Sequence, residues 1–247
     1  MKALWRWVAL VLMAFVALQL FFVLRIAAMV VVDPQSTSFQ RSEIWTQMLS
    51  VGRDGELHWR QQWLPYAQIA EPLKRAVIAS EDDGFVNHDG VDWNAIEKAW
   101  ERNNRAEEQA AKASARKSDR PVRAPKIRGG STITQQLAKN LLLSGERTML
   151  RKGQEFVLTL LLEKMLTKQR ILEIYLNSVE WGDGVFGAEA AAQRYYKKSA
   201  SRLSNPEAAR LAVMLPAPKR FEKNPGSAYI AGRTRTILGR MASAELP

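Results

Sequence analysis

The sequence predicts an all-α fold with long loops, attached to a membrane by an N-terminal segment. Three observations lead to this class. The N-terminus carries a long apolar run, and the rest of the chain contains segments whose apolar residues recur every three or four positions. No alternation of strands and helices follows the literal Gly-x-Gly-x-x-Gly at residues 182–187, which excludes a dinucleotide-binding sheet.

The composition restricts the classes of function. The chain has 247 residues, so about 210 remain beyond the apolar run, enough for one domain with a sizeable core. It contains no cysteine and two histidines, which excludes disulfides, thiolate metal sites and multi-histidine metal sites. The net charge of +11 predicts a polyanionic partner: nucleic acid, anionic lipid headgroups or a phosphorylated substrate.

The first element is a membrane anchor. Residues 8–24 are apolar except Gln19, and residues 26–32 are apolar again, which together suffice to span a bilayer. Lys2 and Arg6 precede the run, so the N-terminus is expected in the cytoplasm and the remainder outside it. A cleaved signal peptide is the competing interpretation, but the run is long and no Ala-x-Ala site follows it closely. We expect an uncleaved anchor over residues 1–32.

A juxtamembrane linker is expected over residues 33–62. The linker contains Trp45 and Trp59, and Trp63 directly follows it. Tryptophans just outside an anchor are typical of a segment resting on the headgroup layer, and they are equally typical of a folded core. Both interpretations remain open at this stage.

The first stretch whose residues are suited to catalysis follows a short helix predicted over residues 72–79. Asp-Gly punctuation ends that helix, which places Glu81 at its end. Crowding by Asp82 and Asp83 raises the free energy of ionising Glu81, one way to tune a general base. Alone, such an acidic cluster is more often a solvated turn.

The second stretch, residues 128–140, favours a functional site over a solvated acidic turn. Two glycines allow close approach of the backbone to a ligand, and Ser131 is predicted to cap a helix over residues 131–143. A helix start favours an anion. The polar residues of this helix lie within two turns: Gln135, Gln136, Lys139 and Asn140.

Further helices are predicted along the chain. Asp92 is the expected N-cap of a helix over residues 93–101. Residues 102–128 are expected to form a basic insertion that is solvated, disordered or part helical. An apolar helix opens at residues 151–155, apolar enough all round to be buried or to face lipid. The remaining helices are expected over residues 168–178 (capped by Thr167), 188–196, 205–215 (capped by Asn205) and 227–244. The Ser-x-x-Lys at residues 114–117 is rejected as a transpeptidase motif because no Ser-Asp-Asn or Lys-Thr-Gly follows.

Taken together, these stretches resemble the glycosyltransferase domain that polymerises peptidoglycan, and more closely the monofunctional biosynthetic peptidoglycan transglycosylases of Gram-negative bacteria. That family carries five motifs in a set order, and each has a match here: Glu81-Asp82-x-x-Phe85-x-x-His88-x-Gly90; residues 129–140; Arg151-Lys152-x-x-Glu155; Lys168-x-x-Ile171-Leu172-Glu173-x-Tyr175-Leu176-Asn177; and Gly182-x-Gly184-x-x-Gly187, followed by Ala191, Ala192 and Tyr195. The resemblance covers about residues 63–218. The departures are a long insertion at about residues 102–126, and Tyr196 where the family often has Phe.

The resemblance implies a lysozyme-like head with a smaller hydrophobic, membrane-associated jaw, in a glycosyltransferase domain over residues 63–247. It implies Glu81 and Glu155 as catalytic residues, with Glu81 the general base and Glu155 near the pyrophosphate or a metal ion. His88 is expected to be a structural partner of the first loop. The implied substrate-binding residues are Asp82, Arg128, Ser131, Thr132, Gln135, Gln136, Lys139, Asn140, Arg151 and Lys152.

The implied substrate is lipid II, joined to a growing glycan strand by inverting transfer with loss of undecaprenyl pyrophosphate. A divalent cation (Mg or Mn) is the one cofactor considered, and no organic cofactor is expected. Expected partners are membrane lipids and other cell-wall synthesis or division proteins; nucleic acid is excluded by the outward topology. Because the chain ends soon after the last motif, no transpeptidase activity is expected. Two alternatives remain: a lysozyme-like hydrolase and a non-catalytic membrane scaffold.

Overall fold

The structure is a computed structural model that describes residues 1–54, 58–116, 130–143, 145–146 and 148–247. Within these ranges the chain forms eleven α-helices: α1 Lys2–Ala28, α2 Ser38–Asp54, α3 Glu71–Glu81, α4 Trp93–Arg116, α5 Ile133–Leu142, α6 Met149–Met165, α7 Lys168–Ser178, α8 Ala188–Tyr196, α9 Asn205–Met214, α10 Pro218–Lys223 and α11 Ala228–Arg240. Three short strands are β1 Arg60–Gln61, β2 Glu180–Gly182 and β3 Val185–Phe186. The all-α prediction is confirmed.

A lysozyme-like helical head encloses the main core. Helix α9 packs against α3 and α11, while α7 packs against α5 and α8. The largest fully buried side chains in this core include Tyr175, Trp181, Phe85 and Phe186. The apolar periodicity of residues 168–178 predicted the packed face of α7, and its Ile171, Leu172 and Leu176 are indeed buried. This packing holds the end of α3 and the start of α5 in fixed positions.

Helix α1 is, among the described residues, the one helix long and apolar enough to cross a bilayer. It lies against α6, where Phe22 and Ile26 are buried. Gln19, the polar residue inside its apolar run, exchanges hydrogen bonds with Gln154 of α6 at 3.1 and 3.4 Å. An amide inside an apolar helix needs such a partner because a lone polar group in hydrocarbon is costly. The smaller apolar part of the molecule is therefore built on α6 beside the anchor.

The exposed side of α6 is apolar. Phe156, Val157 and Leu160 point outward, whereas Leu158 and Leu162 are buried in the core. The sequence left open whether this helix is buried or faces lipid, and the structure shows that its two sides differ. The exposed side continues the apolar surface of the neighbouring anchor.

The tryptophans near the anchor divide between the two interpretations. Trp59 packs on Phe186 with ring centroids 4.8 Å apart, and Trp63 packs against the core beside Arg170. Trp45 on α2 is instead largely exposed. Two of the three, each half-buried, therefore pack on the head.

Two predicted helix caps are wrong by one residue. Thr132, and not Ser131, is the N-cap of α5: its hydroxyl accepts from the backbone N–H of Gln135, and the Gln135 side chain accepts from the Thr132 N–H. Ser204, and not Asn205, is the N-cap of α9, in a matching capping box with Glu207. A capping box needs Gln or Glu three residues after the cap, and that spacing selects Thr132 and Ser204.

Helix α4 extends well beyond residue 101, where the sequence predicted its end. Residues 102–116 are poor in apolar residues, but they are rich in Ala, Glu, Lys and Arg, which favour a helix without needing to be buried. The cap by Asp92 is confirmed, because its carboxylate accepts from the Ala95 N–H at 2.8 Å. The rest of the predicted insertion, including Arg128, lies outside the described residues.

The glycine-rich segment at residues 182–187 forms part of a small sheet rather than a plain connection. β3 pairs antiparallel with β2 and parallel with β1. Gly184 has a φ of +65°, and a Cβ there would lie 2.0 Å from the backbone oxygen of His58. Its close approach to the chain before β1 explains the need for glycine.

Candidate active site

A cleft of about 750 Å³ runs along the polar side of α5 and the first turns of α6. The predicted site residues that line it are Ser131, Gln135, Gln136, Lys139, Asn140, Arg151, Lys152 and Glu155. The opposite wall includes Phe39 of α2 and Glu180 of β2. Residues that are far apart in the sequence therefore meet around one cavity.

The first and second motifs are joined beneath this cleft by Asp82. Its Oδ2 accepts from the backbone N–H of Ile133 at 2.9 Å, at the first turn of α5. The hydroxyl of Thr132 donates to the backbone carbonyl of Gly90 at 2.6 Å. Asp82 and Thr132 are both buried and are not among the residues that line the cleft. Both residues therefore hold the start of α5 in place, whereas the sequence analysis expected them to bind substrate.

His88 completes this junction. Its Nδ1 accepts from the Gly90 N–H at 3.1 Å, so in the neutral ring Nε2 carries the proton and donates to Asp82 Oδ1 at 2.9 Å. Both ring nitrogens are thus engaged within the loop that follows α3. The expectation that His88 is a structural partner of this loop agrees with these contacts.

Glu81 is the last residue of α3 and lies against the side chain of Gln136. Its Oε2 accepts from Gln136 Nε2 at 3.1 Å, and its Oε1 accepts from the Ser80 hydroxyl at 3.3 Å. Burial raises the pKa of Glu81, while these two hydrogen bonds and the nearby Arg233 oppose the shift. Such an environment is typical of a carboxyl group tuned for proton transfer.

The sequence predicted that crowding by Asp82 and Asp83 raises the pKa of Glu81, and this gives too much weight to the neighbouring charges. Burial is the main reason for the raised pKa of Glu81, and the neighbouring charge of Asp82 adds least among the identified causes. Asp83 turns outward and pairs with Arg240 at 2.8 Å. Crowding among the three carboxylates is therefore a minor effect.

The other end of the cleft is cationic. Arg151 pairs with Glu155 at 3.0 Å across one turn of α6, and Lys152 pairs with the same carboxylate. Glu155 is buried beneath them, whereas Lys139 and Lys152 are exposed to the cleft. Because Arg151 and Lys152 share the single carboxylate of Glu155, this group of three side chains keeps a net positive charge suited to an anion.

Several residues in or beside the cleft were not selected from the sequence. Glu180 lines it, and burial raises its pKa to about 7, even though Lys219, Nζ to Oε1 at 3.4 Å, opposes the shift. A carboxylate between the apolar Val179 and Trp181 was an available signal. Arg233 lies among several arginines of α11, and nothing in the sequence distinguishes it from them.

Two groups of side chains bring ligand atoms close enough together to hold a metal ion. In the first, Asp82 and His88 use those atoms in hydrogen bonds, and Asp92 uses its own to cap α4. In the second, which is Glu43, Glu180 and Asp183, the ammonium group of Lys219 already lies among the carboxylates. Neither arrangement fits a resident ion well, and Glu155 belongs to neither of these groups of described residues.

Comparison with known proteins identifies the family. The family model described as transglycosylase matches residues 53–242. The chain is 50% identical to the biosynthetic peptidoglycan transglycosylase of Paraburkholderia xenovorans (strain LB400), over 98% of this chain and 94% of the relative. It is 52% identical to the protein of the same name in Herminiimonas arsenicoxydans, over 98% of this chain and 96% of the relative.

The chain belongs to the transglycosylase family. Membership makes it a glycosyltransferase of peptidoglycan synthesis. Of the site residues that the sequence analysis selected, eight line the cleft, Glu81 lies against it through Gln136, Asp82 and Thr132 are buried at the start of α5, and Arg128 lies outside the described residues. The first three motifs thus contribute to one site.

Proposed function

We propose that the chain polymerises lipid II into glycan strands by inverting glycosyl transfer and releases undecaprenyl pyrophosphate. The observation that carries the proposal is the polarity of the cleft. A half-buried carboxylate, Glu81, lies against its wall through Gln136, and three cations, Lys139, Arg151 and Lys152, line its other end. A base and an anion site are what this transfer requires at the two ends of the reacting bond.

Glu81 takes the role of general base. The 4-hydroxyl oxygen of the acceptor N-acetylglucosamine attacks the anomeric carbon of the donor N-acetylmuramic acid, and its proton passes to the Glu81 carboxylate. The bond from the anomeric carbon to the pyrophosphate oxygen breaks, and its electron pair leaves with the pyrophosphate. Burial supports this role because a raised pKa brings the carboxylate closer to the working pH.

The cationic end takes the pyrophosphate. Lys139, Arg151 and Lys152 stabilise the charge that develops on the leaving group. Buried Glu155 acts by holding Arg151 and Lys152 in place, through the ion pairs described above. Ser131, Gln135 and Asn140 offer hydrogen bonds to sugar or phosphate oxygens along the wall between the two ends.

The membrane arrangement follows from α1. Lys2 and Arg6 precede the apolar run, which supports a cytoplasmic N-terminus and a catalytic domain on the periplasmic side of the inner membrane. The exposed apolar side of α6 lies beside α1, which suits a substrate that carries a lipid tail. Residues 63–247 form the catalytic domain, and membrane lipids are partners.

The test is polymerisation of labelled lipid II by the detergent-solubilised full chain, with products separated by size. We expect long glycan from the native chain and none from Glu81→Gln. Glu71→Gln is a matched control because it changes an exposed carboxylate in the first turn of the same helix. Glycan made by Glu81→Gln at the native rate would refute the role of Glu81, and absence of product from the native chain would refute the polymerase.

The two alternatives predict different results in the same experiment. A hydrolase would release reducing ends from finished glycan with no requirement for lipid. A scaffold would be indifferent to Glu81→Gln. The cationic end of the cleft favours the polymerase over the hydrolase, because a hydrolase has no pyrophosphate to bind.

A further inference from the structure

Three side chains from three helices form a directed chain of hydrogen bonds that ends on Glu81. The hydroxyl of Tyr175 on α7 donates to Gln136 Oε1 on α5 at 3.0 Å. The amide nitrogen of Gln136 donates to Glu81 Oε2 at the end of α3, at 3.1 Å. Tyr175 is fully buried, so its hydroxyl is withheld from water and cannot exchange this partner for solvent.

The direction of this chain is set by both of its ends, because the ionised Glu81 carboxylate can only accept and the Tyr175 hydroxyl can donate. Burial, with smaller contributions from the charges of Glu81 and Asp82, raises the pKa of the Tyr175 hydroxyl well above its ordinary value of 10. The hydroxyl therefore stays protonated and donates to the carbonyl end of the Gln136 amide. The opposite, NH₂ end then faces Glu81. If the amide rotated by half a turn, its carbonyl oxygen would face the carboxylate and the two would repel each other.

We propose that Tyr175 is a positioning residue that orients the Gln136 amide, and through it holds the Glu81 carboxylate in place as an ionised base. This inference rests on the role proposed for Glu81. One oxygen of the base is held by Gln136, and from the described residues the other receives only the longer hydrogen bond from Ser80, at 3.3 Å. The second oxygen is thus the one that meets the acceptor hydroxyl.

Other groups around Glu81 do not substitute for this chain. Ser80 and Asp82 flank it on its own segment, and Arg233 faces it from α11. Arg233 contributes charge without a hydrogen bond to Glu81 among those found in the described residues. The chain through Gln136 is the link that joins Glu81 to the rigid core, because Tyr175 is anchored there.

Tyr175→Phe tests the proposal because the ring keeps its place in the core while the hydroxyl is lost. We expect kcat to fall by about tenfold to a hundredfold, because the misoriented Gln136 amide would lose its hydrogen bond to the charged Glu81, with a much smaller change in KM for lipid II. The pKa of Glu81 should rise, so the acid limb of the pH–rate profile should move to higher pH, and raising the pH should restore part of the rate. A purely structural defect would lower the rate equally at every pH.

Tyr195→Phe is the matched control. Its hydroxyl donates to the backbone carbonyl of Trp181 at 2.9 Å, so the same deletion removes a comparable hydrogen bond in another part of the head. We expect it to leave the pH–rate profile in place. An equal shift of the profile in both variants would overturn the proposal.

A double-mutant cycle makes the test independent of the pH profile. Gln136→Met removes the connecting amide, so adding Tyr175→Phe to it should cost little further activity. If the two losses add in full, Tyr175 does not act through Gln136 and the inference is wrong. The Glu81 carboxyl band can be followed by infrared titration after subtracting the spectrum of Glu81→Gln. In Tyr175→Phe and in Gln136→Met, it should show a Glu81 pKa above that of the native chain.

The controls also separate this inference from the proposed function. Full activity of Glu81→Gln would refute the base itself. An inactive Glu81→Gln together with a Tyr175→Phe variant that matches the native chain in kcat, pH profile and carboxyl band would refute only the role of Tyr175.

Discussion

Asp82 lies 2.9 Å from the backbone nitrogen of Ile133, and this contact fixes the start of α5 against the end of α3. The other oxygen of the same carboxylate accepts from His88, also at 2.9 Å. One buried carboxylate therefore binds two donors, and the base of the proposed mechanism is its neighbour in the chain. The positions of Glu81 and Gln136 relative to each other depend on this junction.

Asp82→Asn should destabilise the fold. An asparagine has one side-chain oxygen, so it can accept from Ile133 or from His88 but not from both, and its NH₂ group would face the remaining donor. Leaving a buried donor unsatisfied costs about 1–3 kcal/mol. Thermal unfolding in detergent followed by circular dichroism should show a clearly lower Tm.

Asp83→Asn is the control for that change. Asp83 is exposed and pairs with Arg240 at 2.8 Å, and a surface ion pair contributes about 1 kcal/mol or less. A Tm loss as large in Asp83→Asn as in Asp82→Asn would contradict the special position of Asp82.

Gly90→Ala should also be destabilising. Gly90 has a φ of +84°, and an added Cβ would lie 2.7 Å from Thr159 Cγ2 and 2.8 Å from Glu163 Cγ of α6. Backbone strain and the two close contacts together should cost about 2 kcal/mol or more in the free energy of unfolding. Gly239→Ala, in a helix with open space around the new Cβ, should instead be neutral or stabilising. Chemical denaturation of the two variants measures the difference.

Glu180 should make the protein less stable as the pH rises from about 4.5 to 7. Its pKa is about 7 in the fold against an ordinary value of 4.5, so in this window the folded state holds a proton that the unfolded state has lost. The stabilisation is complete below pH 4.5 and is lost as the pH passes 7. Unfolding at a series of pH values should show a fall in the native chain that is smaller in Glu180→Gln.

Glu207 provides a comparison of opposite sign. Hydrogen bonds from Lys198 and Ser204 lower its pKa to about 2. Its contribution to stability is therefore present above pH 4.5 and is lost as the pH falls toward 2. Glu207→Gln should be less stable than the native chain at neutral pH and should approach it in acid. The same direction of change in both variants would contradict the assignment for Glu180.

Arg170→Ala should loosen the segment between the anchor and the head. The guanidinium of Arg170 donates to the backbone carbonyls of Met29 and Val32, at 2.8 and 3.1 Å, and pairs with Asp33 at 2.7 Å. Without these contacts residues 29–37 should open more often, and proteinase K should cut there several times faster. Arg235→Ala, on the exposed side of α11, is the control and should leave the cleavage rate unchanged.

Local sequence patterns were sufficient to predict most of the helices. The bounds of α7 and α8 agree with their predicted ranges, and the apolar N-terminal run forms one long helix. Each depends on interactions within a few residues: apolar periodicity, capping side chains and turn residues. The errors at Ser131 and Asn205 arose where two adjacent residues can both cap, because only the position of the following Gln135 or Glu207 decides between them.

Only the five motifs and their order made it possible to predict that the site residues lie together. The physical reasons why they do so lie in the tertiary structure. The pKa of Glu81 depends on burial against α5 and α11, and that burial comes from packing between distant segments. Three further elements bring Tyr175, Glu180 and Arg233 to the site. Tyr175 belongs to a motif and Glu180 has apolar neighbours in the sequence, but neither pattern indicates the contacts that the residue makes there. Residue types and helix periods are local properties of the chain, whereas burial, hydrogen-bond direction and the charge of a cleft are properties of the packed whole.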